Sequence, residues 1–294
     1  MKPAPFDYHR PEDLGDALRL LAELGPEARP LAGGQSLIPF MNFRLARPTA
    51  LIDLNRIEAL SRLSPEDGSI SVGAMTRQWD VEHSDTARDL CPILPAALRW
   101  VGHTATRTRG TVGGSVAHAD PAAELPTVAV ALDAQMTVAG PNGETERVIS
   151  AADFFVDHYT TSMRPGELLT SLRFPSLPPV IAWEFTEFAF RAGDFALASV
   201  AVLLDVADGE GVRSATIVLG GVASTPLRAL SAEAQLTGRA PTTDAWKAAA
   251  QAAAAEIDPL EEPDVPAGYR RQIVATLVED ALTNAHARGT EQSR

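Results

Sequence analysis

Two glycine-rich corners constrain this chain more than any other feature, because each stands where a strand-like run meets a helix-like run. The first corner is AGGQS (32–36) and the second is GTVGGS (110–115). Glycine lets the backbone approach an anion closely and adopt conformations that other residues avoid. Main-chain N–H groups can then converge on the anion, with hydroxyl donors from Ser36, Thr111 and Ser115. Two such corners predict one anionic ligand held from two sides.

The spacing of the glycines excludes the two commonest phosphate-binding motifs. Neither corner reads G-x-G-x-x-G or G-x-x-x-x-G-K-[ST], so the Rossmann and P-loop classes are disfavoured.

The composition narrows the class of protein further. At 294 residues the chain is long enough for roughly two domains of about 100–200 residues each. Its net charge of −13 disfavours nucleic acid or an anionic membrane as the main partner. A single cysteine, Cys91, excludes an internal disulfide and a cysteine-rich metal site. We find no signal-peptide pattern and no apolar run near the ~20 residues of a membrane helix, so we expect a cytoplasmic protein without a membrane span.

Hydrophobic periodicity predicts a chain that mixes helices and strands. Helices are predicted over 14–24, 37–45, 85–101 and 120–134, and strands over 29–33, 50–55, 69–75 and 165–175. A hairpin is expected over 134–150, with Asn142-Gly143 as its turn. The proline-rich stretch PSLPPV (175–180) indicates a domain boundary. Beyond it we predict three antiparallel strands and helices over 243–257 and 268–287.

Two longer blocks around the corners resemble a known family. AGGQSLIPFMNFRLARPTALIDLNRI (32–57) and RGTVGGSVAHADPAAELPTVAVALDA (109–134) are similar to the FAD-binding medium subunits of molybdenum hydroxylases, the xanthine dehydrogenase and carbon monoxide dehydrogenase family. Later stretches such as DHYTTSMRPGELLTSLRFP and GYRRQIVATLVEDAL agree with this, so the resemblance covers nearly the whole chain.

The resemblance implies an α+β fold in two domains. Residues 1–176 would form a bipartite FAD-binding domain of the vanillyl-alcohol-oxidase-like type, with subdomains of about 1–57 and 58–176. Residues 177–294 would form a C-terminal α+β domain with a three-stranded antiparallel sheet and helices.

The resemblance also implies which residues contact FAD. Ala32, Gly33, Gly34, Gln35, Ser36 and Leu37 would surround the pyrophosphate, and Thr111, Gly113, Gly114 and Ser115 would hold it from the other side. Val101 would lie beside the adenine, His118 and Asp120 near the ribityl chain or the ring system, Glu124 at a cofactor hydroxyl and Leu169 against the flavin ring. No residue is assigned a catalytic or metal-binding role. The chain departs from the family pattern at two positions. Gln35 stands where carbon monoxide dehydrogenases often have histidine, and Phe190 stands where the family commonly has a basic residue.

Some of these residues have ordinary structural interpretations as well. Asp120-Pro121 is typical of a helix N-cap followed by a first-turn proline, and Glu124 of a capping-box acceptor. His118 and Asp120 could ligate a metal, but the sequence offers no third ligand. Arg107 and Arg109 are left out of the site, because arginines beside a loop are usually solvated or interfacial.

The implied function is electron transfer within a larger complex. A [2Fe–2S] cluster normally needs four cysteine ligands, and this chain has only Cys91. We therefore expect a small iron–sulfur subunit and a large subunit with the molybdenum cofactor, assembled with this chain as a dimer of heterotrimers. Electrons would leave the FAD to an external acceptor such as a quinone, oxygen or NAD. Two alternatives stay open: a self-contained FAD-dependent oxidase of a small substrate, and a non-enzymatic nucleotide-binding or phosphate-binding module.

The glycine corners yield the first testable prediction. We expect Gly114→Val to abolish FAD retention while the C-terminal domain stays folded, because a branched side chain would block the approach of the pyrophosphate. The flavin absorbance of the purified variant, relative to protein, measures the effect. A variant that purifies with its full complement of flavin would contradict the assignment.

Overall fold

The computed structural model describes residues 2–141, 143, 145–207, 211–259 and 265–292. Strands and helices are mixed throughout this part of the chain, as the periodicity predicts. The hairpin predicted over 134–150 is confirmed by strands β6 (Gln135–Ala139) and β7 (Glu146–Ser150), which pair in antiparallel. Asn142, half of its predicted turn signal, lies outside the described residues.

The first sheet of the described chain is parallel. Its strands are β1 (Asp7–His9), β2 (Ala28–Leu31) and β3 (Ala50–Asp53), in the order β1-β3-β2. Helix α1 (Leu14–Leu24) crosses from β1 to β2 and buries Ala17, Leu18 and Leu21. Both β2 and β3 therefore end at the same edge of the sheet. The first glycine corner follows β2 at that edge and leads into α2 (Leu37–Asn42).

A five-stranded antiparallel sheet follows in the described residues. Its order is β4 (Leu63–Glu66), β5 (Ser69–Gly73), β10 (Leu168–Pro175), β6 and β7. A 3-10 helix (Glu58–Ser61) precedes it, and a small hairpin of β8 (Phe155–Asp157) and β9 (Thr160–Thr161) lies before β10.

Six short helices of the described chain connect β5 to β6, and a seventh, α9, connects β7 to β8. They are α3 (Gln78–Glu82), α4 (Asp85–Leu90), α5 (Ile93–Leu98), α6 (Thr104–Arg107), α7 (Val112–His118), α8 (Glu124–Ala131) and α9 (Ala151–Phe154). The second glycine corner lies between two helices, α6 and α7, and not at the strand–helix junction that the sequence predicts.

The predicted helices over 85–101 and 120–134 are wrong in their extent. The segment 120–134 is helical only over α8. The segment 85–101 forms two helices, α4 and α5, with a break at Cys91 and Pro92. Proline disfavours the helical conformation of the residue before it, and Cys91 adopts φ −147° and ψ 63°. The buried Cys91 side chain packs in the core, and burial raises the pKa of its thiol to about 12.

The C-terminal sheet differs from the prediction by one strand. In the described residues it has four antiparallel strands, β11 (Ile181–Phe188), β12 (Ala198–Ala207), β13 (Gly211–Gly220) and β14 (Leu227–Arg228), not three. With two residues, β14 is too short to carry a hydrophobic period, so the pattern could not indicate it.

Helices cover one face of this sheet. They are α10 (Leu230–Leu236), α11 (Thr243–Glu256) and α12 (Ala267–Gln292). Even α12, the longest of the described helices, lacks the apolar stretch that a membrane crossing requires.

The other face of the C-terminal sheet packs against the part of the chain that carries the second corner. Every residue of α8 is buried, and α8 contacts β12 and β13. Trp183 and Phe185 of β11 belong to the same core cluster as Leu125 and Val128 of α8. One continuous core, which also includes residues of the five-stranded sheet, therefore surrounds α8 and sets its position.

We expect Leu125→Ala to destabilise the chain by about 2–5 kcal/mol, since Leu125 is fully buried and its truncation leaves a cavity. Leu230→Ala is the matched control, because Leu230 is exposed and its loss should cost no more than about 0.5 kcal/mol. Denaturant unfolding of the two variants measures both. Equal effects would show that α8 does not pack as described.

Candidate functional site

The first corner is a tight loop whose carbonyl groups are turned into the protein. The Gln35 side-chain amide donates to the Gly33 carbonyl at 3.1 Å, and the Ile38 N–H donates to the Gly34 carbonyl at 3.1 Å. Gly34 has φ +73°, a left-handed conformation that favours glycine. The loop therefore needs glycine at this position to turn from β2 into α2.

The N–H groups of the same loop have the opposite character. Within the described part of the chain, the five N–H groups of residues 33–37 have no hydrogen-bond acceptor. Consecutive unpaired N–H groups in a tight loop form a concave site with positive partial charge, which suits an anion. The first corner thus has the chemistry of an anion cradle.

The second corner is built differently, because its N–H groups are used within the protein. Their acceptors are the Thr76 carbonyl for Val112, the Ala74 carbonyl for Gly113, the Thr111 hydroxyl for Gly114 and the Thr111 carbonyl for Ser115. Gly113 packs directly on Ala74, where a Cβ would come within 2.4 Å of the Ala74 Cβ. The glycines of this corner therefore serve close packing, and the Ser115 hydroxyl has no hydrogen bond among the described residues.

The structure brings the two corners into contact, as the sequence predicts. A Cβ on Gly33 would lie 2.3 Å from the Arg109 carbonyl oxygen and 2.8 Å from the Gly110 Cα. A Cβ on Gly114 would lie 3.3 Å from the Ala32 Cβ. The backbones approach so closely that a side chain at Gly33 would push the corners apart.

Two polar residues that the sequence analysis missed join the corners from behind. The Asn55 side chain donates to the Ala32 carbonyl at 2.9 Å, and Arg77 donates to the Arg109 carbonyl at 2.5 Å. Arg77 also donates to Asn55 Oδ1 at 2.6 Å, so the two side chains are linked. The sequence could have indicated Asn55, since it follows β3 at the sheet edge where β2 also ends. No sequence pattern indicated Arg77.

Three aromatic rings stand beside the corners. The His118 ring lies 5.5 Å from Phe40 and 5.0 Å from Tyr159 between ring centroids. Burial lowers the pKa of His118, so its ring is neutral at neutral pH. Burial and the neighbouring Asp120 raise the pKa of Tyr159, whose main chain at φ +53° is held by a hydrogen bond to the Ala119 carbonyl. Phe40 and Tyr159 were not predicted.

The ordinary interpretations of Asp120 and Glu124 are wrong. Helix α8 begins at Glu124 with Ala123 as its N-cap, so Asp120 is not the cap. The Asp120 carboxylate accepts the Ala122 N–H at 3.0 Å in the preceding turn. Glu124 stands at the first helical position, whereas a capping-box acceptor stands at the third.

Glu124 belongs to a buried polar group between α8 and the C-terminal sheet. Burial raises the pKa of Glu124 to about 7, and Asp120 acts in the same direction. Burial and the charge of Glu124 raise the pKa of Glu187, in β11, to about 8. Glu187 Oε2 and the hydroxyls of Thr127 and Ser199 are buried without a hydrogen-bond partner in the described residues. The two carboxyls therefore share a tendency to hold a proton near neutral pH.

Two of the predicted contacts, Val101 and Leu169, present little surface to a ligand. Val101 and Leu169 are 9% and 5% exposed and belong to the core. Arg107 donates to the Val101 carbonyl at 3.0 Å and forms an ion pair with Glu82, which is a structural role. Phe190 is exposed in the loop between β11 and β12. Within the described residues, no three His, Cys, Asp or Glu side chains are grouped to hold a metal ion.

Comparison with known proteins gives consistent matches along the chain. Residues 4–177 match the family described as the FAD binding domain in molybdopterin dehydrogenase, and residues 183–285 match the CO dehydrogenase flavoprotein C-terminal domain. The chain is 41% identical to the 6-hydroxypseudooxynicotine dehydrogenase complex subunit alpha of Paenarthrobacter nicotinovorans, with 100% of this chain and 99% of that protein covered.

Solved structures give the same result. Carbon monoxide dehydrogenase from Hydrogenophaga pseudoflava has a chain that superposes with a TM-score of 0.93 at 38% identity, covering 98% of this chain and 99% of its own. Quinoline 2-oxidoreductase from Pseudomonas putida 86 has a chain with a TM-score of 0.93 at 34% identity, covering 100% of both.

The buried pair of glutamates predicts a pH dependence. The pKa of Glu187 is higher in the folded chain than in the unfolded chain. The contribution of protonated Glu187 to the free energy of unfolding is therefore complete below about pH 4.5 and is lost as the pH rises toward 8. We expect Glu187→Gln, which cannot ionise, to gain at least about 1 kcal/mol of stability relative to the unmodified chain between pH 6 and pH 9.

Unfolding in denaturant at the two pH values measures this difference. Glu184→Gln is the control, since it removes a carboxylate from the other face of β11, where Glu184 pairs with Arg288 at 2.8 Å. The interpretation fails if the stability difference between Glu187→Gln and the unmodified chain stays constant with pH.

Proposed function

Because this chain belongs to the family of FAD-binding subunits of molybdenum-containing dehydrogenases, we propose that its two glycine corners bind the pyrophosphate of FAD. The observation that carries this proposal is the row of unpaired N–H groups at residues 33–37. A pyrophosphate is a compact anion with many acceptor oxygens, and it matches such a row in charge and in hydrogen bonding. The residues present therefore fit the cofactor that the family implies.

The two corners take different roles in this proposal. Gly33, Gly34, Gln35, Ser36 and Leu37 supply the main-chain donors. Ala32 begins the loop with its carbonyl held by Asn55, and the Gln35 side chain holds the Gly33 carbonyl. Thr111, Gly113 and Gly114 supply a close-packed wall, and Ser115 adds a hydroxyl donor. The exposed Arg109 contributes positive charge.

The other predicted contacts are proposed in the same way. His118, neutral and next to Phe40 and Tyr159, offers a flat surface near the corners for the ribityl chain or the ring system. Asp120 and Glu124 offer oxygens to cofactor hydroxyls, and the raised pKa of Glu124 lets its carboxyl donate as well as accept near neutral pH. For Val101 and Leu169, burial in the core limits any contact to the edges of their side chains.

The bound FAD supplies oxidation–reduction chemistry that no side chain can provide. The chain is the FAD subunit of a multi-subunit oxidoreductase and transfers electrons within that complex. Its own residues bind and orient the cofactor and shield it from water. We assign no catalytic side chain to it.

The remaining parts of the proposal concern architecture and assembly. We propose the vanillyl-alcohol-oxidase-like type for the FAD-binding domain, with the domain division at 176/177 and subdomains of about 1–57 and 58–176. Partner subunits are implied by the family. We propose a small iron–sulfur subunit and a large molybdenum-cofactor subunit, in a dimer of heterotrimers. The cytoplasmic location stays a prediction.

The experiment separates the subunit from a self-contained oxidase. We expect the purified chain to bind FAD, and the bound flavin to stay oxidised under anaerobic conditions with aromatic heterocycles, aldehydes or carbon monoxide. The physical reason is that a [2Fe–2S] cluster needs four cysteines and this chain has Cys91 alone. Flavin absorbance during anaerobic titration measures the result.

Three outcomes distinguish the alternatives. Reduction that returns when the cysteine-rich and molybdenum-bearing partners are added supports the electron-transfer subunit. Bleaching of the isolated chain at a catalytic rate would identify a self-contained oxidase. A chain that binds ADP but no flavin would be the nucleotide-binding module.

A further inference from the structure

We propose that Asn55 and Arg77 form a clamp that sets the spacing of the two glycine corners and aims the N–H groups of the first corner at the anion. Neither residue belongs to a corner, and both act as positioning residues. The proposal rests on the proposed function in one respect, that the anion is the pyrophosphate of FAD.

The clamp is a continuous chain of three hydrogen bonds. It runs from the Ala32 carbonyl to Asn55 at 2.9 Å, from Asn55 to Arg77 at 2.6 Å and from Arg77 to the Arg109 carbonyl at 2.5 Å. The two carbonyls at its ends belong to different corners. The clamp therefore sets the distance between the two corners.

The planarity of the peptide bond explains how the clamp directs donors. In a trans peptide the carbonyl and the N–H of the next residue point in opposite directions. When Asn55 holds the Ala32 carbonyl, the Gly33 N–H is turned to the opposite side of the loop. Gln35 does the same one residue later, because it holds the Gly33 carbonyl and so turns the Gly34 N–H. Two side-chain amides, one from Asn55 outside the loop and one from Gln35 within it, thus set the orientation of two N–H groups of the loop.

The clamp also fixes the closest contact between the corners. The Arg109 carbonyl that accepts from Arg77 is the atom that would stand 2.3 Å from a Cβ on Gly33. Without the donor, this carbonyl would lose its partner while it stays beside the loop, because the Gly110 N–H of the same peptide still donates to the Thr106 carbonyl at 2.7 Å. Its partial negative charge would then be uncompensated next to the cradle, which disfavours an anion.

Both halves of the clamp are anchored to regular structure. Asp53, at the end of β3, accepts from the Asn55 N–H at 3.0 Å and from the Tyr8 hydroxyl of β1. Burial would raise the pKa of Asp53, but the hydrogen bonds from Tyr8 and Asn55 outweigh it and lower that pKa. Arg77 pairs in an isolated bridge with Thr111, the N-cap of α7. The parallel sheet is thereby connected to the second corner.

A role for charge alone is the competing explanation. Arg77 is half-buried, and burial together with the neighbouring Arg109 lowers its pKa, so two cations stand close together near the cradle. Lysine separates the two explanations. It keeps the positive charge, but its point-like ammonium cannot reproduce the two directed bonds of a planar guanidinium.

The experiment is a titration of the apoprotein with FAD, for the unmodified chain and for Arg77→Lys, Arg77→Met, Asn55→Ala and the double variant Asn55→Ala/Arg77→Met. We expect each single variant to bind FAD about 10- to 100-fold more weakly, the usual loss for a hydrogen bond with a charged partner. The double variant should lose little more FAD affinity than the single variant that binds FAD more weakly, because the loss of one hydrogen bond already interrupts the clamp. ADP, used as the pyrophosphate probe, should lose affinity by the same factor.

The melting temperature of the apoprotein distinguishes positioning from general structural damage. Asn55 is exposed, so its truncation leaves the core intact and the melting temperature should change little. Arg19→Ala, on the exposed face of α1, controls for the loss of an arginine that pairs with Asp16 and Glu23. If an Arg77 variant fails to fold, the FAD affinity of Asn55→Ala tests the clamp by itself.

Several results would overturn the clamp. They are wild-type affinity in Arg77→Lys, additive losses in the double variant, or a loss of FAD affinity that follows the melting temperature. An unmodified chain that fails to bind FAD would instead overturn the proposed function. The two failures are therefore separate.

Discussion

The close contact between the two glycine corners is the constraint on which the site depends. Gly33 lies so near the Arg109 carbonyl that no side chain fits between them. Two segments more than seventy residues apart in the chain must therefore meet with little tolerance. The parallel sheet fixes the first corner, the antiparallel sheet and α7 fix the second, and Asn55 and Arg77 join them by hydrogen bonds.

The two corners take different roles in the proposed anion site. The carbonyls of the first corner accept hydrogen bonds within the protein, and its N–H groups are unpaired. The N–H groups of the second corner donate to the Ala74 and Thr76 carbonyls, which follow β5, and to Thr111. One corner thus supplies donors and the other supplies shape. This division explains why both need glycine, although for different physical reasons: a left-handed turn at Gly34 and close packing at Gly113.

The interface between α8 and the C-terminal sheet adds an electrostatic constraint. Burial raises the pKa of both Glu124 and Glu187, and the charge of Glu124 raises the pKa of Glu187 further, so the pair keeps a proton near neutral pH. They come from parts of the chain on opposite sides of the proline-rich boundary. A carboxyl at the proposed FAD site is therefore coupled electrostatically to the C-terminal sheet.

The sequence by itself determined the features that are local. Hydrophobic period predicted α1, the hairpin and the long C-terminal strands, and the two glycine blocks sufficed to recognise the family. Only the tertiary structure decided which N–H groups are free, that Arg77 and Asn55 connect the corners, that Glu187 stands beside Glu124 and that β14 completes its sheet. The physical reason is that each of these depends on a partner distant in the chain, and no local pattern records which distant group will complete a hydrogen bond or bury a charge.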